Sequence, residues 1–382
     1  MNDQTINPSW LLPSPEPWEA PVSGEGLLAD LIKAIEDHVA LPEHASLGIA
    51  LWVLHTYSFD AFLNSPRLAI ISPEKQCGKT TLLCLLQELV QRPLPSANVT
   101  MSVVFRAIDR YRPTLLIDEA DTFLSGKEDL RGILNSGHSK RMAHVLRAVG
   151  EDNEPVRFTT WAPVAIAAIK NIPDTLMDRS VIIRMRRRLP EETVLPMRGK
   201  ALERLLDLAR QMMRWSADQQ ERLAQADPDM PEGLSDRACD NWRPLIALAD
   251  AAGGQWPELA RAAAVALCKR TDEDDISPGE QVLADMLAFM AEQDCDRVSS
   301  DEIVDALLAR EDRPWNEYRN GNPLTPHGLA AMLKPFGIGP KKFRFGKETL
   351  SGYDIGPVSN AARRYCRAGL QKIGTSEPPA SH

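Results

Sequence analysis

From Gly26 to Phe62 the apolar residues recur three and four positions apart: Leu27, Leu28, Leu31, Ile32 and Ile35, then Ile49, Leu51, Trp52 and Leu54, with Pro42 between the two sets. That spacing lines up one face of a helix, and it predicts two or three helices here. Between Arg67 and about Arg188 the pattern changes to short apolar runs alternating with helical ones: LAIIS at 68–72, TLLID at 114–118, VAIAAI at 164–169 and SVIIRM at 180–185. Such alternation predicts an α/β core built on a mainly parallel sheet. Helical spacing returns over 192–270, at Leu202, Leu205, Leu206 and Leu208 and again at Leu245, Ile246, Leu248 and Ala249, and reads as a helical lid. Residues 281–365 give helix, helix, a strand at Phe343-Arg344-Phe345, a turn near Ser351-Gly352 and a return strand at Tyr353-Asp354-Ile355, an order that fits a winged helix-turn-helix. Ahead of all this, Pro8, Pro13, Pro15, Pro17 and Pro21 deny residues 1–22 a helix and predict an extended arm, pinned by Trp10 and Trp18. The expected divisions are therefore the arm at 1–22, N-terminal helices at 23–66, the α/β core at 67–190, the lid at 191–272, the winged-helix-like domain at 273–370 and a disordered tail at 371–382.

Composition narrows the classes. A chain of 382 residues, 43% hydrophobic and 25% charged, has the make-up of a globular protein of two or three domains. No run approaches 18 apolar residues, and the first 21 residues are acidic and proline-rich, so neither a membrane nor export is expected and a cytoplasmic location is. The six cysteines are scattered without a CxxC pair and read as reduced thiols. With 44 basic against 53 acidic side chains the net charge is −9, which argues against coating nucleic acid through bulk charge. Local blocks differ: 272–305 carries 12 acids against one base, whereas 326–373 carries nine bases against two acids. The second block, with Lys341, Lys342 and Arg344, is a candidate phosphate-contacting face.

The strongest chemical signal is Ser72-Pro73-Glu74-Lys75-Gln76-Cys77-Gly78-Lys79-Thr80-Thr81, set between an apolar run and an apolar helix carrying Leu82, Leu83, Leu85, Leu86 and Leu89. A loop of this kind points backbone N–H groups at an anion from a helix N-terminus, where the helix dipole adds to them. Residues 73–81 would then line ATP, with Gly78 allowing close approach, Lys79 reaching the β- and γ-phosphates and the Thr80 hydroxyl ligating Mg2+. Pro73 stands where such loops usually carry their first glycine. Further along, Thr114-Leu115-Leu116-Ile117-Asp118-Glu119 is an apolar run ending in two acids. Asp118 would hold the magnesium shell with Thr80, and Glu119 would orient and activate the attacking water. His138 and His144 lack a third ligand and are not read as a metal site.

With these motifs the sequence resembles the AAA+ class of P-loop ATPases. Within it, the chain is similar to an uncharacterised domain family at the C-terminal end of phage, plasmid and prophage primase-helicases, distantly related to superfamily 3 helicases. The likeness runs from Pro15 to about Tyr365 and rests on SPEKQCGKTTLL, PTLLIDEADTF, LRGILNSGH, IPDTLMDRS, DRACDNWRPLIALADAAGGQWP and LSGYDIG. It implies ATP hydrolysis, assembly into a ring, with a hexamer expected, and movement on DNA, with a separate primase as a candidate partner. It also implies that Arg179 reaches the γ-phosphate held by a neighbouring subunit; the alternative is a pair with Asp178 or Asp174. Asn171 is the candidate polar sensor of the γ-phosphate, with Lys170 as competitor. A lid arginine, Arg237 in preference to Arg243, is expected on the nucleotide of its own chain, unless these serve as helix-surface ion pairs.

For DNA, the stretch from Arg131 to Arg147 contains Lys140, Arg141, Arg147, His138 and His144 and no acid, and could face a pore. The acidic Glu151-Asp152-Asn153-Glu154 would instead repel phosphates at the tip of any hairpin formed by 144–149 and 156–160. The leading expectation is a DNA-dependent helicase or translocase serving a mobile element. The alternatives are an AAA+ remodeller or loader of a replication complex and a nucleotide-switched defence or regulatory protein.

Overall fold

Ser23 starts the first helix, α1 (Gly24–His38), by accepting from the Gly26 N–H, one of the donors a helix start leaves unpaired. The next, α2 (Ala45–Ser58), is apolar on every side and buried along nearly its whole length, as a helix inside a core must be. The computed structural model describes residues 14–96, 100–120, 128–169, 172–269, 278–310, 313–318, 321–345 and 348–366. The chain divides into two compact units, 1–269 and 270–382.

The first unit is mixed α/β. Its elements continue as β1 (Arg67–Ser72), α3 (Lys79–Leu89), β2 (Pro93–Ser96), α4 (Met101–Tyr111), β3 (Thr114–Ile117), α5 (Glu128–Ser136), β4 (His144–Val149), β5 (Glu154–Thr159), β6 (Val164–Ile169), α6 (Asp174–Met177), β7 (Ser180–Arg184), α7 (Lys200–Ala224), α8 (Asp236–Ala252) and α9 (Trp256–Cys268). Five strands form a parallel sheet in the order β2-β3-β6-β1-β7. Side chains alternate across a strand, so one apolar run feeds two cores. Leu68, Ile70, Leu116, Ala165, Ala167, Val181 and Ile183 join α1, α2, α3 and α7–α9 on one face. Ala69, Ile71, Leu115, Ile117, Val164, Ile166 and Ala168 join α4, α5 and α6 on the other. The two faces account for runs that are continuously apolar rather than alternating.

Two details depart from expectation. The edge strand β2 is Pro-Leu-Pro-Ser, a composition that reads as a loop; proline is tolerated there because an edge strand need not donate on its open side. In α7, Leu205 and Leu208 are buried while Leu202 and Leu206 are exposed, so the inward stripe is narrower than the sequence suggested. Strands β4 and β5 form an antiparallel hairpin inserted between α5 and β6.

The second unit runs α10 (Pro278–Glu292), β8 (Arg297–Ser299), α11 (Ser300–Leu308), α12 (Pro326–Leu333), β9 (Lys341–Phe345), β10 (Glu348–Asp354) and α13 (Ile355–Tyr365). Its three strands pair antiparallel in the order β8-β10-β9 around a core containing Trp315 and Tyr353. Ser351 and Gly352 are mid-strand, paired with Lys342 and Lys341, which corrects the expected turn. A Cβ on Gly352 would lie 2.3 Å from the Val298 carbonyl oxygen, so this glycine serves close strand approach rather than a turn. The return strand stops at Asp354, whose side chain caps α13 by accepting from the Gly356 N–H. Among the described residues no helix is long and apolar enough to cross a membrane.

Candidate functional site

The loop between β1 and α3 is shaped by two left-handed residues, Gln76 (φ 66°) and Gly78 (φ 83°), the latter standing at the N-cap of α3. A Cβ on Gly78 would meet only the Met185 methyl, at 3.5 Å, so it is the backbone angle and not space that calls for glycine. Pro73, Glu74, Lys75 and Gln76 are exposed, whereas Cys77 is buried with its thiol 3.8 Å from the Lys75 carbonyl oxygen. Lys79 Nζ donates to Ser72 Oγ at 2.5 Å, and Ser72 Oγ donates to the Glu74 carbonyl at 2.7 Å, so the strand end holds the ammonium at the loop. Thr80 and Thr81 are exposed on the first turn of α3.

Asp118, just beyond β3, lies at the same edge. Its Oδ2 is 3.4 Å from the Thr80 hydroxyl and its Oδ1 accepts from the Glu119 N–H at 2.8 Å. Glu119 is exposed with φ 53°, a left-handed conformation that costs a non-glycine residue about 1 kcal/mol. Hydroxyl and carboxylate oxygens gathered in this way are the hard-oxygen donors that magnesium takes, and the anion-facing helix start lies beside them. These residues fit a magnesium-bound nucleotide by donor chemistry.

Arg179 occupies the opposite end of the sheet. Its carbonyl oxygen accepts from the Arg67 N–H at 2.9 Å, at the N-terminal ends of β1 and β7, and its guanidinium donates to the Thr175 carbonyl at 2.7 Å. Helix α8 is fastened to this edge by Asn241, which donates to the Asp178 and Ser180 carbonyls at 2.9 and 3.4 Å and pairs with His138 Nε2 at 2.8 Å. Arg67 is fully buried and donates to the backbone carbonyls of Ser65, Leu134 and Ala162. Burial, with Arg179 adding to it, pushes its guanidinium down to about 9, still charged at neutral pH. Burial and then Arg237 lower Arg179, against an upward pull from Asp178. Burial and Arg67 lower His138 to about 4, so it is neutral.

A family model described as "Protein of unknown function (DUF3631)" matches residues 184–365. The "Uncharacterized 28.9 kDa protein in xis 5'region" of Saccharopolyspora erythraea is 38% identical over 185 residues, which cover 48% of this chain and 68% of that protein. The chain belongs to the DUF3631 family. Two solved apo structures of the NrS-1 C-terminal region, both of the A form, align over 91% of this chain at 13% and 12% identity. They are covered over 79% and 78% of their lengths, with TM-scores of 0.46 and 0.45, too low to assign a fold. The DUF3631 span holds Arg237 and the basic strand β9, while Lys79, Asp118 and Arg179 precede it.

The sheet thus brings Lys79, Thr80, Asp118 and Glu119 together at one edge and leaves Arg179 and Arg237 at the other. Arg237 starts the helix that Asn241 ties to Asp178 and Ser180, and its guanidinium is 3.7 Å from Asp240. That contact is the helix-surface ion pair the sequence left open beside the nucleotide contact. Arg243 pairs with Asp227. Asn171 and Lys170 lie outside the described residues.

The basic stretch from Arg131 to Arg147 is not one surface. His138 is buried against Asn241, which removes it from the candidate DNA contacts. Lys140 donates to the Asp60 carbonyl and lies 5.9 Å from the Trp161 ring centroid. Arg147 packs over Phe105 with an Nη on the Met101 sulfur, while Arg141 is exposed. On β9, Lys341, Lys342 and Arg344 are exposed, with Lys342 and Arg344 on one face of the strand. Sequence reasoning passed over Ser72, Arg67, Asn241 and Arg187, whose guanidinium is 2.7 Å from Glu74 in the loop. Only Arg187 carried a signal, the run Arg186-Arg187-Arg188 that follows β7 after Met185.

Proposed function

We propose that this chain is an ATP-hydrolysing motor of the AAA+ class that assembles as a ring and acts as a DNA-dependent helicase or translocase in replication of a mobile element. The observation that carries this reading is the gathering of Lys79, Thr80, Asp118 and Glu119 at the C-terminal ends of β1 and β3, with β6 between those strands. The strand order β2-β3-β6-β1-β7, with the loop on the fourth strand, supports an AAA+ core. Lys79 and the backbone of 73–81 would bind the ATP phosphates, and Thr80 with Asp118 would hold Mg2+. Held by Thr80 and Asp118, the ion would supply positive charge against the charge that builds on the phosphate oxygens during transfer. Glu119 would accept a proton from the attacking water, and Arg179 would serve a neighbouring copy. Asn171 remains the candidate γ-phosphate sensor.

The order α10, β8, α11, α12 and the β9-β10 hairpin supports a winged helix whose basic strand contacts DNA through Lys341, Lys342 and Arg344. The relative's place beside xis supports the mobile-element setting. One observation favours the second reading, a protein remodeller: the tip of the β4-β5 hairpin exposes Glu151 and Asp152, which suit a protein better than a phosphate backbone. Phosphate release from ATP, with and without single-stranded DNA and at two salt concentrations, separates the two. A motor on DNA gives stimulation that fades with salt and is absent from Lys79→Ala, whereas hydrolysis indifferent to DNA points to the remodeller.

A further inference from the structure

A cleft of about 340 Å³ opens between the end of α2, the starts of β2 and β3, and α7. It lies at the ends of β2 and β3 away from Asp118, so it is separate from the phosphate loop and the acids gathered there. Its size falls at the small end of the ~300–1,000 Å³ of small-molecule sites. Arg92 and Arg112 stand side by side in its wall. Pro93 pairs with Thr114 across parallel strands, and the Arg92 carbonyl accepts from the Thr114 N–H at 2.9 Å, so the two arginines enter from neighbouring strand starts. Both hold left-handed backbone, φ 48° and 50°, which glycine adopts at less cost. An arginine at a helix end commonly turns back on the last carbonyls. Arg112, at the end of α4, does not: it is exposed, and among the described residues its guanidinium makes no hydrogen bond or ion pair. Arg92 spends its Nε on Ser14 Oγ at 3.0 Å and keeps its two outer nitrogens. The acid in the wall, Asp60, is already engaged: its Oδ1 accepts from the Trp161 indole at 2.9 Å and lies 3.9 Å from the Lys140 ammonium. Ser58 of α2 and Ser216 of α7 are buried in the same wall, and among the described residues their hydroxyls have no partner. Unpaired buried hydroxyls cost free energy, and a polar occupant of the cleft is the partner within reach.

We propose that this cleft binds a small phosphate monoester, with Arg92 and Arg112 on the phosphate and the amides of Gln91 and Gln220 on the organic part. A phosphate monoester carries a charge of about −1.5 to −2 at neutral pH, which matches two guanidiniums, whereas a carboxylate balances only one. The amides both donate and accept, as a polar organic group requires. Because α7 forms one wall and the strand starts another, the occupant would brace that helix against the sheet. The site stands whether or not the phosphate loop hydrolyses ATP.

The test is calorimetric titration of the full chain with uridine 5′-monophosphate, with uridine as the phosphate-free control. The wild type should bind the monophosphate and not uridine. Arg92→Gln and Arg112→Gln should each weaken binding roughly tenfold to a hundredfold, the loss of one charge-assisted partner, while Lys79→Ala binds as the wild type does. Arg112→Gln removes a side chain without partners, so its Tm should stay that of the wild type. Gln220→Glu adds negative charge on the exposed side of α7 and should weaken binding in the same direction. Binding that vanishes in Lys79→Ala and survives in Arg112→Gln would place the phosphate in the loop and overturn the proposal. So would equal binding of uridine, or no binding of the monophosphate at millimolar concentration. Tight binding of an unphosphorylated single-stranded DNA, lost in the same two arginine variants, would give the pair to a nucleic-acid backbone and overturn it as well.

Discussion

At the C-terminal edge of the sheet, Lys79, Thr80, Asp118 and Glu119 are exposed or half-buried and joined by a few short polar contacts. At the N-terminal edge, Arg67, His138 and Asn241 are buried and bonded to one another's surroundings and to backbone carbonyls. One edge leaves its polar groups at the surface, and the other spends them inside the protein, holding α5, β1, β6, β7 and α8 in register. Arg179 and Arg237 sit at the border, supported by the buried network yet accessible. A substitution at the first edge should therefore cost function without stability, and one in the buried network should cost stability first.

The sharpest break of that contrast comes from Lys79→Ala. On the proposed ATPase reading, hydrolysis should fall about 10³-fold while thermal unfolding stays close to wild type, since among the described residues the ammonium bonds Ser72 alone. A large drop in Tm would erase the distinction between the edges. Arg67→Met should do the opposite, lowering unfolding free energy by about 3 kcal/mol in a urea titration, because the Leu134 and Ala162 carbonyls lose a charged donor inside the core. His138 sharpens the comparison through pH. Its folded pKa of about 4 lies below the unfolded value near 6.5, so its contribution is complete above about pH 6.5 and is lost as the pH falls toward 4. His138→Gln should flatten the stability profile in that window, by up to about 3 kcal/mol at its acid end, compared with wild type. The smallest effect belongs to the exposed pair Arg187–Glu74 at the loop: Glu74→Gln should shift stability by no more than ~0.5 kcal/mol.

Much of the first edge was legible along the chain, because a phosphate loop and a strand ending in acids are local patterns. Lys79 and Thr80 follow Gly78 directly, and Asp118 follows an apolar strand, so spacing alone marked them. The second edge was not. Arg67 opens an ordinary apolar strand, and Asn241 sits within a polar stretch of a helix; nothing nearby in sequence shows that they meet near His138 and Arg179. For Arg237 the sequence left a nucleotide contact and a helix-surface ion pair both open, and only the structure shows it 3.7 Å from Asp240 on a helix that Asn241 fastens to Asp178 and Ser180. Gly352 misled in another way: next to serine it reads as a turn, whereas strand β8 approaching within 2.3 Å of a would-be Cβ makes it a packing residue.

The sequence by itself determined the alternation of strands and helices, the loop that begins α3 and the identity of its neighbouring acids, since each depends on residues close together in the chain and on backbone preferences that act locally. Only the tertiary structure decided which face each strand residue packs on, that β6 separates β1 from β3, and that the arginines stand at the edge away from the loop. Those outcomes depend on pairing across tens to hundreds of residues, where burial of apolar area and satisfaction of buried donors select one arrangement that no local pattern specifies.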